Sequence, residues 1–297
     1  MADLTPLVIT TTGLVGSTLA RVLHASGARP EDTYYPAVDT PRGIPVDITS
    51  GQSVRSLFEK TRPKTVILSA ALTNVEYCQE NRDAAYEVNV KGARNVAEAC
   101  LAFGAKLVFF SSDYVFDGHD GPYSETDVPH PLSVYGETKL AGESLIRDML
   151  ADYLIIRTTV VYGYEQMGKN FCYRLINTLK ERRRINVPRD QVGTPTYAYN
   201  LAQIVADLID KKRTGIYNVV GRDLVDRYEF SKRVCEVFGL DASLLNAVTT
   251  EELRQKAPRP LRAGLRTDKV RRDSSISVMG VDEGLKAFKR ELDGKAS

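Results

Sequence analysis

The sequence predicts an α/β protein: a doubly wound parallel (Rossmann-type) sheet with a smaller substrate lobe interleaved toward the C-terminus. Three observations predict it. Short apolar, β-rich runs alternate with helical patterns through the first half of the chain. The turn Thr10-Thr11-Thr12-Gly13-Leu14-Val15-Gly16 stands between the first such run and the first helix, where a dinucleotide-binding turn belongs. The 297 residues are 43% hydrophobic and 26% charged, a globular balance long enough to bury a full core.

Each element follows from its pattern. Leu7-Val8-Ile9-Thr10 reads as a buried strand. Residues 13–26 read as a helix with Leu19, Val22 and Leu23 on one face, stopped by Gly27. Thr33-Tyr34-Tyr35 is a weak second strand and 65–69 a clear third. Helical spacing runs through Ala85, Val88, Ala93, Val96, Ala97 and Cys100 and ends at Gly104. Residues 106–111 carry the buried run Leu107-Val108-Phe109-Phe110, and a Pro/Gly-rich polar loop covers 113–133. A helix is expected over 134–150 and a strand over 154–161. Continuous apolar strands argue for a parallel sheet covered on both faces, wound by right-handed crossovers. In the second half, helices are expected over 170–183, 199–209, 227–238 and 281–292, with a late strand over 215–220. Residues 1–166, completed by about 198–220, are read as the dinucleotide-binding domain, and 167–197 with 221–297 as the substrate-binding lobe.

Composition removes several function classes. Forty Lys and Arg stand against 38 Asp and Glu, so the formal charge of +2 gives no long-range field for nucleic acid or an acidic membrane. Cys78, Cys100, Cys172 and Cys235 are scattered without a CxxC, and His24, His119 and His130 lack ligand spacing. That pattern predicts reduced thiols, a cytoplasmic protein and no metal site. No apolar run reaches the length of a membrane span, and the N-terminal one is too short for a signal peptide. There is no Trp.

Two further segments can carry chemistry. Tyr135 and Lys139 stand four apart on a predicted helix and so share a face. A neighbouring ammonium favours tyrosinate, so Lys139 is expected to bring the Tyr135 pKa down toward working pH. That makes Tyr135 a general acid for a carbonyl oxygen. Ser111-Ser112-Asp113-Tyr114-Val115-Phe116-Asp117-Gly118 follows a strand, placing hydroxyls at its carboxyl end, where α/β ligands bind. Each motif alone has a plain structural reading: a strand–turn–helix, an exposed pair, an Asx turn. Their order, each in its proper context, favours chemistry.

The segment from Ser111 to Gly118 is followed by Tyr123-Ser124-Glu125-Thr126-Asp127 and by Tyr135-Gly136-Glu137-Thr138-Lys139-Leu140-Ala141-Gly142-Glu143. Arg157-Thr158, Val161-Tyr162-Gly163, Gly168-Lys169-Asn170-Phe171, Asp190-Gln191-Val192-Gly193-Thr194-Pro195-Thr196 and Arg259-Pro260 come later. With this set, nearly the whole chain resembles the extended short-chain dehydrogenase/reductases, and within them the dTDP-4-dehydrorhamnose reductase branch. The resemblance implies NADP or NAD as cofactor, a nucleotide-linked 4-keto-6-deoxy sugar as substrate, and a homodimer as a common assembly. It implies a catalytic Ser112, Tyr135 and Lys139, with Lys139 also holding the ribose. Thr10, Thr12, Gly13, Leu14, Val15, Asp47, Ile48, Ala70, Ala71 and Asn89 would line the cofactor, together with Asp39 or Arg42 at the ribose. Asp39 favours a free 2′-hydroxyl and Arg42 a 2′-phosphate, with a slight lean to NADP. Thr73, Asp113, Val115, Phe116, Val160, Asn170, Gln191 and Arg259 would meet the substrate. From their spacing, Arg259, Arg262 and Arg266 read either as a cluster for a nucleotide diphosphate or as a solvated surface.

The sequence departs from the branch at three places. Thr10 stands where the fingerprint has its first glycine, so either the turn keeps a negative φ or the cofactor site is weakened. Val160 stands where the branch has a Trp, and Leu265-Arg266 where it has Leu-Asp. The alternatives are a cofactor-binding regulatory subunit, as in the methionine adenosyltransferase beta subunit, and an epimerase or another ketoreductase.

Overall fold

The computed structural model describes residues 5–35, 43–165 and 168–296. Seven parallel strands form the central sheet: β1 (Leu7–Ile9), β2 (Glu31–Tyr34), β3 (Ile44–Pro45), β4 (Thr65–Leu68), β5 (Lys106–Ser112), β6 (Tyr153–Thr158) and β7 (Gly215–Asn218). Their order is β7-β6-β5-β4-β1-β2-β3. The order reverses between β1 and β4, and ligands of such sheets sit outside the carboxyl ends at that point.

Period-two alternation divides the central strands between two cores. Leu7, Ile9, Val66, Leu68, Leu107 and Phe109 face one side, against Phe58, Val96 and Ile146 of the helices Gly51–Thr61, Gly92–Phe103 and Val134–Met149. Val8, Ile67, Val108, Phe110, Leu154 and Ile156 face the other, against Leu19 and Leu23 of helix Leu14–Ala25 and Ile204, Val205 and Leu208 of helix Ala198–Asp210. A third core gathers Tyr162, Leu175, Phe230, Val281 and Phe288 from the later segments. Val270 and Val278 pack with the sheet rather than with this third core.

The structure departs from the sequence pattern at several places. Helix Gly51–Thr61 was not anticipated, although Val54, Leu57 and Phe58 have helical spacing. Ser50 caps it by accepting from the Ser53 N–H at 3.3 Å. The long helix expected through Phe103 is present but not uniform: Arg82–Tyr86 runs through a π-turn at Glu87–Lys91 into Gly92–Phe103. The strand expected over 154–161 leaves the sheet after Thr158. Val160 takes φ +46°, and Val161–Tyr162 pairs instead with Thr196–Tyr197. The late strand stops at Asn218.

Among the described residues, no helix is long and apolar enough to cross a membrane. Nor do His, Cys, Asp and Glu gather there in a group able to hold a metal.

Candidate active site

Ser112 ends β5, at the carboxyl edge of the sheet. Tyr135 is the second residue of helix Val134–Met149, whose N-cap Ser133 accepts from the Gly136 N–H at 3.3 Å. This helix meets the segment after β5 only because residue 136 is glycine: a Cβ there would lie 2.1 Å from the Tyr114 carbonyl oxygen. The approach buries Ser112, Tyr135 and Lys139 at 6%, 8% and 3% exposure. Tyr135 stands edge-on to Tyr114, ring centroids 5.5 Å apart, and lies within hydrogen-bond reach of Ser112.

Burial sets the charges here. It pushes the Tyr135 phenol well above its ordinary value, opposed by the Ser112 hydrogen bond. The expected lowering of Tyr135 by Lys139 is therefore reversed, because desolvation of the phenolate dominates. Burial also pulls Lys139 down to about 8, with Glu143 acting the other way. The Lys139 ammonium lies over the Phe109 ring at 4.2 Å. Glu143 is engaged by Arg157, whose Nε and Nη2 donate to its two carboxylate oxygens at 2.9 and 2.6 Å.

Asn89 is turned inward by the π-turn. Its Oδ1 accepts from the Leu72 N–H at 2.8 Å, and its Nδ2 donates to the Leu72 carbonyl at 3.0 Å and to Thr138 Oγ1 at 3.1 Å. Thr138 Oγ1 in turn donates to the Tyr135 carbonyl at 2.8 Å. Asn89 thus ties the loop after β4 to the helix carrying Tyr135, and its amide is spent on that task.

On the cofactor side, Thr10 adopts φ +70° despite its branched Cβ. Its N–H donates to Thr33 Oγ1 at 3.0 Å, and its carbonyl accepts from Ser69 Oγ at 2.9 Å. Thr12 follows within the turn, and Gly13 is the N-cap of helix Leu14–Ala25, with no side-chain cap bond. No side chain at the cap thus satisfies the first-turn N–H groups of this helix. A Cβ on Gly13 would meet nothing within 4 Å, so this face is open. Asp47 accepts from the Thr49 N–H at 2.9 Å and hydroxyl at 2.7 Å, and Ile48 is buried against Gly92. Ala70 and Ala71 follow β4, half-buried. Asp39 and Arg42 lie outside the described residues.

The substrate-side expectations divide. Asp113 sits beside Ser112, 5% exposed, and accepts from Ser112 Oγ at 2.9 Å and from Thr159 Oγ1 at 2.7 Å. Thr73 is exposed beyond β4. Val160, at φ +46°, accepts from the Thr196 N–H at 3.2 Å. Val115 and Phe116 do not offer a surface to a ligand. Both are fully buried in a small core with Tyr123, Val220 and Leu265, where Phe116 stacks on Tyr123 at 4.2 Å. Asn170 is occupied as an N-cap, accepting from the Tyr173 N–H and donating to the Gly163 carbonyl, both at 3.0 Å. Gln191 donates to Thr250 Oγ1 at 3.0 Å and to Gln255 Oε1 at 3.2 Å, bracing the loop that carries Arg259.

Arg259 reaches the site, but not with the partners expected. Its Nη2 pairs with Glu76, its guanidinium faces the Tyr114 ring at 5.9 Å, and its buried Nη1 has no partner. Arg266 instead donates to the Pro122 carbonyl at 3.3 Å. The cation that acts on Asp113 is Arg227, which lies over the Phe171 ring at 4.9 Å; burial lowers its pKa, while Tyr114 and Asp113 raise it. Arg227, Thr159 and the Glu143–Arg157 pair were not anticipated. One signal existed: Arg227 opens its helix, where the dipole disfavours a cation. A surface groove of about 870 Å³ lies elsewhere, between helices Gly51–Thr61 and Gly92–Phe103.

A parallel sheet with an open helix N-terminus at its switch point, and a buried serine, tyrosine and lysine beside it, define an extended short-chain dehydrogenase/reductase. The chain belongs to the RmlD substrate binding domain family, which it matches over residues 5–293. It is 39% identical over 216 residues to a spore coat polysaccharide biosynthesis protein of Bacillus subtilis, covering 72% of this chain and 75% of that one. It is 33% identical over 257 residues to the dTDP-4-dehydrorhamnose reductase of Escherichia coli, covering 83% and 85%. The crystal structure of dTDP-4-dehydrorhamnose reductase from Bacillus anthracis in complex with NADP superposes with a TM-score of 0.88, at 33% identity, over 97% of this chain and 99% of that one.

Proposed function

We propose that this protein is an NAD(P)-dependent reductase of a nucleotide-linked 4-keto-6-deoxy sugar, resembling dTDP-4-dehydrorhamnose reductase. The buried grouping of Ser112, Tyr135 and Lys139 at the end of β5 carries the reading. The residues present suit a dinucleotide. The uncapped helix start at Gly13 receives the pyrophosphate, and the Lys139 ammonium receives the ribose hydroxyls. When bound, the nicotinamide supplies the hydride. Tyr135, neutral at working pH because burial raises its pKa, gives its proton to the carbonyl oxygen. Ser112 holds that oxygen, and Arg259 and Arg227 face the anionic part of the nucleotide sugar.

NADP is favoured as the cofactor, as in the Bacillus anthracis relative, with NAD as the second choice. Four free cysteines, all buried, suit the cytoplasm. The test is oxidation of NADPH and NADH by the purified protein with dTDP-, GDP- and UDP-linked keto sugars. Turnover that disappears in Tyr135→Phe, with cofactor affinity kept, is expected. Absence of oxidation with every sugar, together with a co-purifying enzyme, would replace this reading with the regulatory one.

A further inference from the structure

Ser112 has one hydroxyl hydrogen and more than one claim on it. In the structure it goes to Asp113: Ser112 Oγ donates to Asp113 Oδ1 at 2.9 Å. The Tyr114 N–H donates to the same Oγ at 3.2 Å, and Tyr135 is within reach. A hydrogen held by Asp113 is not available to a carbonyl oxygen in front of Tyr135. The other carboxylate oxygen is occupied: Thr159 Oγ1 donates to Asp113 Oδ2 at 2.7 Å.

We propose that Asp113 is a positioning residue whose charge state sets the direction of the Ser112 hydrogen, the carboxylate drawing it away from the reacting carbonyl and the carboxylic acid releasing it. The proposal rests on the reductase reading of the same site. Thr159 makes the switch one-sided, because its hydroxyl fills Oδ2 and leaves Oδ1 to take the proton. The acid then donates Oδ1–H to Ser112 Oγ, the polarity of that bond inverts, and the Ser112 hydrogen turns toward the substrate oxygen. Asp113 gives nothing to the substrate. Tyr135 still supplies the proton, and no other bond forms or breaks.

The surroundings place this switch in a usable range. Burial favours the acid form of Asp113; the Thr159 and Ser112 hydrogen bonds and the Arg227 guanidinium oppose it, and the balance lies at about 6. Tyr114 on the same segment and Tyr135 on the neighbouring helix also face the carboxyl group, and both stay neutral because burial raises them.

Two measurements test the proposal. The first is kcat against pH, from about 5 to about 8. In the unsubstituted protein kcat falls as pH rises through a midpoint at or above about 6. Asp113→Asn, whose amide donates to Ser112 Oγ at every pH, removes the fall. Thr159→Val deletes a bond to the ionised form and moves the fall to higher pH. The second is a carbon-13 carboxyl titration of Asp113 without substrate, assigned by the resonance missing in Asp113→Asn. Ser112→Ala removes the other bond to the carboxylate and raises the midpoint. A fall that persists in Asp113→Asn, or a midpoint unmoved in Ser112→Ala, overturns the proposal. The titration needs no turnover, so an inactive protein counts against the reductase reading alone.

Discussion

Arg157 and Glu143 form a two-pronged ion pair beneath Lys139, with 2% and 1% of their side chains exposed. The pair spans from β6 to the helix carrying Tyr135 and Lys139. It makes Glu143 a fixed carboxylate rather than a direct partner for the ammonium. Glu143→Gln leaves the Arg157 charge buried with no counter-charge, and such breaks cost about 3–5 kcal/mol. The expected outcome is a loss of that order in urea unfolding. Lys139, deprived of the carboxylate that raises it, falls below its value of about 8.

Lys139 is held at a cost to folding. Its pKa falls from 10.5 unfolded to about 8 folded, so the unfolded chain binds more protons between these values. Stability therefore rises as pH climbs from about 8 to 10.5, and the penalty is fully present below about 8. Lys139→Met is expected to abolish turnover while raising the unfolding free energy at neutral pH by up to about 3 kcal/mol. Parallel denaturation curves at neutral and alkaline pH check the sign: the gain shrinks as pH rises.

Thr10 at φ +70° bears strain that glycine would not. The left-handed region costs an L-residue about 1–2 kcal/mol, partly offset by the larger entropy glycine loses on folding. Thr10→Gly is expected to stabilise the fold by about 1 kcal/mol or less. The same change should tighten binding of NADPH by calorimetry, since the turn no longer resists its bound shape. Weaker binding would mean that the strained turn is already shaped for the cofactor.

Arg227 is expected to act in binding rather than in the chemical step. Arg227→Gln should raise KM for the nucleotide sugar at least about 10-fold while kcat changes less. The same substitution removes a cation that favours the Asp113 carboxylate, so the Asp113 midpoint should move up. Steady-state kinetics and the carboxyl titration read the two effects separately.

What could be read from the sequence was local. The β1–turn–helix unit and the Tyr135/Lys139 pair follow from spacing along one element, and the sheet follows from the alternation of apolar runs. What escaped was set by packing. Thr159 meets Asp113 across 46 residues, and no pattern in either segment announces it. The sign of the Tyr135 shift depends on how deeply helix Val134–Met149 is buried, which Gly136 permits but does not advertise. Val115 and Phe116 sit in a motif associated with substrate, yet their side chains face inward because the strap carrying Tyr123 covers them. The helix pattern before Phe103 gave no warning of its π-turn, since the turn adds a residue without changing the apolar composition.

The bend at Val160 has a mechanical consequence. Thr158 still belongs to the seven-stranded sheet, while Tyr162 already belongs to the third core. At this crossing Thr159 and Val160 lead from the sheet to the third core, and Thr159 is the residue that grips Asp113. A change in this short segment therefore reaches the acid beside Ser112 without touching it directly. Two residues of chain both turn the backbone out of the sheet and fill one oxygen of the buried carboxyl group.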